Sequence, residues 1–235
     1  MNNSSPPTHL IVGASKGIGH TLLESSSQLH STYALSRSRP PSIPSSCTWI
    51  EGDASDPASY SDRLPPQIDA LTFCPGDIIL GSIRKLTTEE ILKAFTSSVL
   101  DAFVLVKALL PQLRSSSLVF ISTVAARSGL PNHCAISTAK SALQGFALSL
   151  SADLAPRTRV NVVAPTLTPT ENGLSLVGGE KAVPVIEKRH PLKRLPAVSE
   201  VCDTINYLHS PSAQSITGQV ISIDSGLSAL RLNDS

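Results

Sequence analysis

The chain has 235 residues, 41% of them hydrophobic, which is enough for one large domain with a substantial buried core. Lysine and arginine (19) nearly balance aspartate and glutamate (18), and only 16% of residues are charged, so nothing favours nucleic acid or a membrane as a partner. No stretch approaches the roughly 18 apolar residues of a membrane span, and the N-terminus lacks signal-peptide character. We therefore expect a cytoplasmic protein.

The cysteines are widely spaced along the chain and form neither a C-x-x-C pair nor a metal-ligand pattern. We therefore expect buried free thiols and no metal site. The four positions are Cys47, Cys74, Cys134 and Cys202.

Short β-branched runs alternate with longer segments of helical period. This alternation predicts one α/β domain of the doubly wound type, in which helices cover both faces of a parallel sheet of about seven strands. The predicted strands are 8–13, 32–36, 47–52, 68–74, 117–123, 159–165 and 219–224. The clearest predicted helices are 88–113, 135–154 and 199–209.

The predicted domain spans residues 9–230, between a disordered N-terminal tail at 1–8 and a short C-terminal tail at 231–235. The Ser/Pro-rich stretch at 36–47 is about a dozen residues long, so we interpret it as a connecting loop rather than a linker between domains. We find no internal repeat in the sequence.

The segment "VGASKGIG" (12–19) follows the first predicted strand and begins a helix. Gly13 permits a tight turn, Gly17 allows the backbone to approach a pyrophosphate, and Gly19 allows the helix to pack close to the strand. Free N–H groups at the helix start would face the anion. The segment therefore predicts a dinucleotide-binding loop, with candidate contacts at Gly13, Ser15, Lys16, Gly17, Ile18 and Gly19.

The G-x-x-x-G-x-G spacing of this loop resembles that of the short-chain dehydrogenase/reductase family. The resemblance extends over nearly the whole chain, through "GDASDP" (52–57), "LPQLRSSSLVFIST" (110–123), "AKSALQGFALSLSADLAPRTRVNVVAP" (139–165) and "ITGQVISIDSG" (216–226). It implies a Rossmann-type fold, a nicotinamide cofactor and a small carbonyl or alcohol substrate. It also implies a homodimer or homotetramer, formed through the apolar faces of helices 88–113 and 135–154.

Charge at the end of the second strand indicates which cofactor is preferred. An NAD site usually has an acid there, whereas the 2'-phosphate of NADP needs cations. Here the strand ends "ALSRSR", so Ser36, Arg37 and Lys16 predict NADP(H), with Arg39 as a further contact. The alternative is that both arginines are solvated loop charges.

The resemblance implies further cofactor contacts after three strands. Asp53 and Ala54 match the adenine-contacting segment. Where the family has N-N-A-G, this chain has "FCPG", which places Cys74, Pro75 and Gly76 in the turn after the fourth strand. After the sixth strand the contacts are Pro165, Thr168 and Thr170, and Thr170 fits the family threonine that reaches the nicotinamide carboxamide.

In the family, a tyrosine donates the proton, and a lysine four residues later lowers the pKa of the phenol. Positions i and i+4 lie on one face of a helix. Lys140 is present, but Ile136 stands where the tyrosine is expected and can donate no proton. Ser137 points about 100° away around the helix. Lys140 does not prove catalysis, since this lysine also binds the nicotinamide ribose in the family.

The other catalytic positions are also altered. The family serine that holds the substrate oxygen matches Thr123, next to Ser122, and the family asparagine matches Ser98. His133 is a candidate replacement acid, because imidazole titrates near neutrality, although it could equally be a wall of the substrate site. We interpret Cys134 as a packed thiol rather than a nucleophile.

Residues 166–196 occupy the position of the family's substrate lid, and their glycines indicate a mobile cover. Three functions remain open. The chain could be an NADP-dependent reductase that takes its proton from His133 or from water. It could instead be a redox-silent nucleotide-binding protein with a regulatory or structural role, or a redox-neutral lyase, isomerase or cyclase.

Overall fold

Seven parallel strands form one sheet at the centre of the computed structural model, which describes residues 6–232. The strand order is β3-β2-β1-β4-β5-β6-β7. Helices cover both faces, so the predicted doubly wound α/β fold is confirmed. The strands are β1 (Thr8–Val12), β2 (Ser31–Ser36), β3 (Cys47–Glu51), β4 (Ala70–Phe73), β5 (Ser117–Ile121), β6 (Arg159–Pro165) and β7 (Val220–Ile223).

Seven α-helices lie between or beside these strands in the described part of the chain. Two of them, α5 and α6, are short and belong to the predicted lid at 166–196, so this segment is partly helical. The helices are α1 (Gly17–Ser27), α2 (Thr88–Phe95), α3 (Asp101–Leu109), α4 (Cys134–Leu154), α5 (Glu171–Leu176), α6 (Val183–Glu187) and α7 (Val198–His209).

Alternation along the central strands builds a core on each face of the sheet. On β5, Leu118 and Phe120 pack in the cluster that faces α3 and α4, whereas Val119 and Ile121 pack in the cluster that faces α1 and α7. Since successive side chains of a strand point to opposite faces, a strand that is buried throughout must be apolar on both sides.

The predicted helix at 88–113 is present, but it contains a π-helical turn and ends before residue 113. A π-helical turn at Thr96–Leu100 separates α2 from α3, and the α-helix ends at Leu109. Serine hydroxyls compete for backbone carbonyls, and here the Ser97 hydroxyl donates to the Ala94 carbonyl at 3.4 Å. The wider turn buries both Ser98 and Val99.

Two other expectations need correction. The sheet begins at Thr8, and the Ser31 N–H donates to the Pro7 carbonyl, so the domain starts earlier than residue 9. The rest of the predicted tails, 1–5 and 233–235, lies outside the described residues. All four cysteines are free, but Cys134 is exposed because it is the first residue of α4 and follows a surface loop. Cys202 is buried, and Cys47 and Cys74 are partly buried.

Within residues 6–232, no helix combines the length and the apolar character that crossing a membrane requires.

A cluster of histidines is buried where β1, α1, β4 and α7 meet. The His9 ring is fully buried between the Ser26 hydroxyl, 2.6 Å from Nδ1, and the Thr72 hydroxyl, 2.8 Å from Nε2. Thr72 also lies 2.9 Å from Nε2 of His209, and the His9 and His209 ring centroids are 4.7 Å apart. Burial lowers the pKa of both imidazoles, that of His209 to about 3.

These histidines predict a loss of stability in mild acid. Unfolded imidazoles bind protons below about pH 6.5, whereas the folded ones stay neutral, so stability falls as pH falls below that value. The expected slope is about 1.4 kcal/mol per pH unit for each neutral imidazole. Urea unfolding of the wild type and of His209→Gln between pH 5 and 8 measures this, and we expect a shallower slope in the variant. Equal pH slopes of the free energy of unfolding in the two proteins would contradict a neutral, buried His209.

Candidate functional site

The carboxyl ends of the parallel strands bring the predicted site residues to one edge of the sheet. The sequence places these residues directly after β1 to β6, and the strand order puts β1 and β4 next to each other at the centre of the sheet, where the topology switches direction. Ligands of doubly wound sheets bind in the crevice at such a point. The edge is therefore the candidate site.

The glycine loop after β1 has room for a ligand. Gly17 has φ +60°, and a Cβ atom built on it would meet nothing within 4 Å. At Gly19, an added Cβ would lie 2.4 Å from the carbonyl oxygen of Gly13, so only glycine allows α1 to approach the turn this closely. The open space at Gly17 and the free N–H groups at the start of α1 fit a bound pyrophosphate. Lys16 is exposed at the N-cap of α1.

The ends of β2 and β3 differ from the predicted phosphate site in one respect. The Ser36 hydroxyl is buried, donates to the Ser38 carbonyl at 2.8 Å and accepts from the Trp49 indole, so it is not free for a ligand. The Arg37 side chain is 81% exposed and lies 3.8 Å from the Asp53 carboxylate. A carboxylate in this position was not anticipated.

Arg39 lies over the Trp49 ring, 5.4 Å from its centroid. The other carboxylate oxygen of Asp53 accepts from the backbone N–H and the hydroxyl of Ser55, and these bonds lower the pKa of Asp53. Ala54 is buried in the core beside them.

Lys140 is the most constrained polar group of the site. Its side chain is buried, and Nζ donates to the carbonyl of Pro75 at 3.0 Å and to that of Ile121 at 2.9 Å. Burial lowers the pKa of the ammonium to about 8. Cys74 lies nearby, and burial raises the pKa of its thiol to about 12, so it remains neutral. Lys140 thus provides a positive group between the ends of β4 and β5.

Gly76 and Ser98 complete the surroundings of this lysine. Gly76 has φ +150°, and an added Cβ would lie 2.5 Å from Nζ of Lys140 and 2.9 Å from the Ser98 hydroxyl. The Ser98 oxygen is buried and has no hydrogen-bond partner among the described residues. Such an unsatisfied hydroxyl beside an ammonium is a position for an ordered water.

Thr123 and Ser122 play different parts. Ser122 is buried, accepts from the Gln144 side chain at 2.9 Å and donates to the Lys140 carbonyl at 3.4 Å. Thr123 follows the end of β5, and its oxygen accepts from the Ala125 N–H, which leaves its own proton for a ligand. The link from Gln144 to Ser122, and the bond from Arg127 to Gln144 at 2.9 Å, were not evident from sequence.

The face of α4 that carries Lys140 offers no acid at the expected place. Ile136 is buried one turn before Lys140. The Ser137 hydroxyl is committed to the Ala125 carbonyl at 2.8 Å. His133 is the N-cap residue of α4, and its Nδ1 lies 2.7 Å from the Pro131 carbonyl, so Nδ1 carries a proton and Nε2 is free.

An open surface cavity of about 480 Å³ lies beside His133. Its walls come from three segments: the loop after β4, the loop before α4, and the C-terminal end of α5 in the lid. Neither Ile136 nor Lys140 lines it, so His133 is the predicted catalytic residue that the cavity reaches. The resemblance predicts two of these segments, the loop before α4 and the lid, at a substrate site, whereas the contribution of residues 80–85 after β4 was not predicted.

The residues after β6 anchor the lid. The Thr170 hydroxyl oxygen accepts from the Gly173 N–H and caps α5, and Thr168 is buried beside it. Next to Pro165, the Thr166 hydroxyl lies 3.1 Å from Nε2 of His190, whose Nδ1 lies 3.0 Å from the Ile186 carbonyl of α6. His190 therefore ties α6 to the end of β6.

The sheet order and the glycine loop after its first strand define an α/β protein of the Rossmann type. A family model described as "Enoyl-(Acyl carrier protein) reductase" matches residues 60–228. The uncharacterized oxidoreductase YhxC of Bacillus subtilis is 30% identical over 191 residues, which cover 77% of this chain and 66% of that protein. The chain belongs to the short-chain dehydrogenase/reductase family, a family of oxidoreductases.

Other relatives support the same assignment over more of the chain. A tropinone reductase homolog of Arabidopsis thaliana is 29% identical, and the match covers 93% of this chain and 91% of that protein. The ligand-free aldohexose dehydrogenase of Thermoplasma acidophilum superimposes with a TM-score of 0.89 at 26% identity, covering 98% of this chain and 97% of that one. The match with YhxC spans about two thirds of that relative's length.

The contact between Gly76 and Lys140 predicts that Gly76→Ala is destabilising. The new methyl group would force the ammonium off its two carbonyls, and alanine would adopt a positive φ. We expect a loss of about 1–3 kcal/mol in the free energy of unfolding. Gly129→Ala is the control, since its added Cβ meets nothing within 4 Å. Equal unfolding midpoints in urea for the two variants would contradict this prediction.

Proposed function

We propose that this protein is an NADP-dependent oxidoreductase that acts on a small carbonyl or alcohol substrate through a non-standard active site. The observation that carries the proposal is the placement of Lys140, held by the carbonyls of Pro75 and Ile121 at the switch point of the sheet, with Thr123 two residues after Ile121. The open space at Gly17 supports a bound dinucleotide.

When bound, NADPH supplies a hydride to the carbonyl carbon, so the substrate oxygen needs one proton to complete the alcohol. The Thr123 hydroxyl donates to that oxygen and polarises the carbonyl. The Lys140 ammonium binds the cofactor ribose and favours negative charge developing nearby. Ile136 stands where the family has its proton donor, and its side chain is buried.

The proton comes from His133 or from an ordered water. To act as the acid, His133 must carry a proton on both ring nitrogens, with the Nδ1 proton donated to the Pro131 carbonyl and the Nε2 proton available to the substrate. His133 also lines the cavity. The unsatisfied Ser98 hydroxyl beside Lys140 provides a position for a water that exchanges protons with the ammonium.

Arg37 is the proposed contact for the 2'-phosphate of NADP, since its side chain is exposed at the end of β2. We expect Arg37→Ala to lower the preference for NADPH over NADH about tenfold, the value of one charge-assisted hydrogen bond. The measurement is the ratio of the two dissociation constants by fluorescence titration. Arg114→Ala, at the opposite edge of the sheet, is the control. An unchanged ratio in Arg37→Ala would mean that Arg37 is a solvated loop charge.

The reaction is tested by NADPH oxidation with a panel of carbonyl compounds, comparing wild type, His133→Ala and Ile136→Tyr. We expect turnover by wild type and a loss of at least tenfold in kcat in His133→Ala, because a positioned acid contributes about that or more. If His133→Ala keeps its turnover, water and not His133 is the source of the proton that completes the alcohol.

The same panel separates the alternatives. A wild type that binds NADPH without turnover, beside an active Ile136→Tyr variant, would overturn the proposal and favour a redox-silent role. Conversion of a substrate with no net change in the cofactor would favour a lyase, isomerase or cyclase.

A homo-oligomer is the proposed assembly, formed through α3 and α4. Leu100 and Phe103 at the start of α3 are 46% and 47% exposed, and Leu148 on α4 is 60% exposed. Exposed apolar side chains on these helices support an interface there. Residues Val104 and Leu110 extend it.

We expect Phe103→Glu combined with Leu148→Arg to shift the protein to a monomer in sedimentation or light scattering. Both changes place charge at the centre of the proposed interface, where it would be desolvated. Leu29→Glu is the control, because Leu29 is 55% exposed beyond the end of α1. An unchanged mass for the double variant would place the interface elsewhere or show a monomer.

A further inference from the structure

The cavity beside His133 carries an uneven distribution of charge. Among residues 6–232, Lys85 is the one side chain of fixed charge on its walls, and no aspartate or glutamate of this range lines it. Lys85 is exposed and forms no ion pair with a described carboxylate, whereas Lys93 on α2 pairs with Asp77. A cavity with one uncompensated positive group attracts a negatively charged ligand.

The polar groups around Lys85 are suited to the same ligand. Ser82 and Asn132 line the cavity and can donate hydrogen bonds. The two loops are joined by one hydrogen bond, from the Gly81 N–H to the Asn132 carbonyl at 2.9 Å. Within the first loop, the Lys85 N–H donates to the Ser82 carbonyl at 2.8 Å. Donors on rigid loops lose little entropy when an anion binds.

The remaining walls are apolar. Leu80 and Pro131 stand on the two loops, and Leu176 and Val177 approach from the end of α5. A volume of about 480 Å³ is within the range of sites that bind small organic molecules. The combination fits a compound with a short apolar body and one anionic end.

We propose that Lys85 binds a carboxylate group of the substrate, so that the preferred substrates are keto acids or hydroxy acids of small size. This inference rests on the proposed oxidoreductase function and names its substrate class. Lys85 selects the substrate by charge and takes no part in hydride or proton transfer.

A matched pair of substrates tests this selection, namely 4-oxopentanoate and its methyl ester, which differ in the charge of one end. In NADPH oxidation we expect wild type to prefer the acid, and Lys85→Ala to lower the ratio of kcat/KM for acid over ester about five- to tenfold, as the loss of one charge-assisted hydrogen bond does. Lys85→Arg retains the charge and should keep the preference. Lys181→Ala is the control, since this exposed lysine of the lid does not line the cavity.

A wild type that prefers the ester, or a ratio that is the same in Lys85→Ala and wild type, would overturn the proposal. Because Lys85 is exposed, the variant should fold, and its thermal unfolding midpoint checks this. If neither compound is reduced, the oxidoreductase proposal fails for them, and calorimetric titration with 4-oxopentanoate still tests Lys85. Binding to wild type that weakens in Lys85→Ala and in high salt would support the carboxylate site, and no binding to wild type would overturn it.

Discussion

The burial of the Lys140 ammonium is the constraint on which the site depends. A charged group removed from water is costly unless every proton finds an acceptor, and here the carbonyls of Pro75 and Ile121 accept two of them. Those carbonyls lie just after β4 and at the end of β5, so one side chain of α4 joins two neighbouring strands at their carboxyl ends. The hydrogen bond from Lys140 to the Ile121 carbonyl also holds the chain just before Thr123, which lies two residues further on.

Several local features make this burial feasible. The turn after β4 must pass so close to Nζ that a Cβ at Gly76 would overlap it. The π-helical turn at Thr96–Leu100 brings Ser98 to the same place, beside Gly76 and the ammonium. A π turn inserted in a helix is common at functional sites, because it redirects one side chain without ending the helix. Together these features place the buried Ser98 hydroxyl, which has no hydrogen-bond partner among the described residues, beside the ammonium.

The sequence predicts the sheet well because each strand is encoded locally. Buried runs such as 118–121 are apolar on both faces, and the glycine loop at 12–19 has a spacing that few other structures require. The sequence does not predict the π turn at "TSSVL". The residues before and after it follow the helical period, and the turn adds only one residue between them. Nor does it predict the partner of the Ser36 hydroxyl, because Trp49 lies 13 residues away on the next strand. Contacts of this kind depend on register, which the pattern alone does not set.

Ile136 removes the acidic neighbour that the family places next to the buried lysine. A phenol one turn before Lys140 would be a proton donor whose anion the ammonium stabilises, whereas isoleucine leaves that ammonium without an acidic neighbour on α4. Lys140 nevertheless has two carbonyl acceptors at the ends of β4 and β5, so its position does not need a polar partner at residue 136. The glycine loop, Gly76 and Lys140 therefore lie together at the carboxyl ends of the strands although residue 136 carries no proton donor.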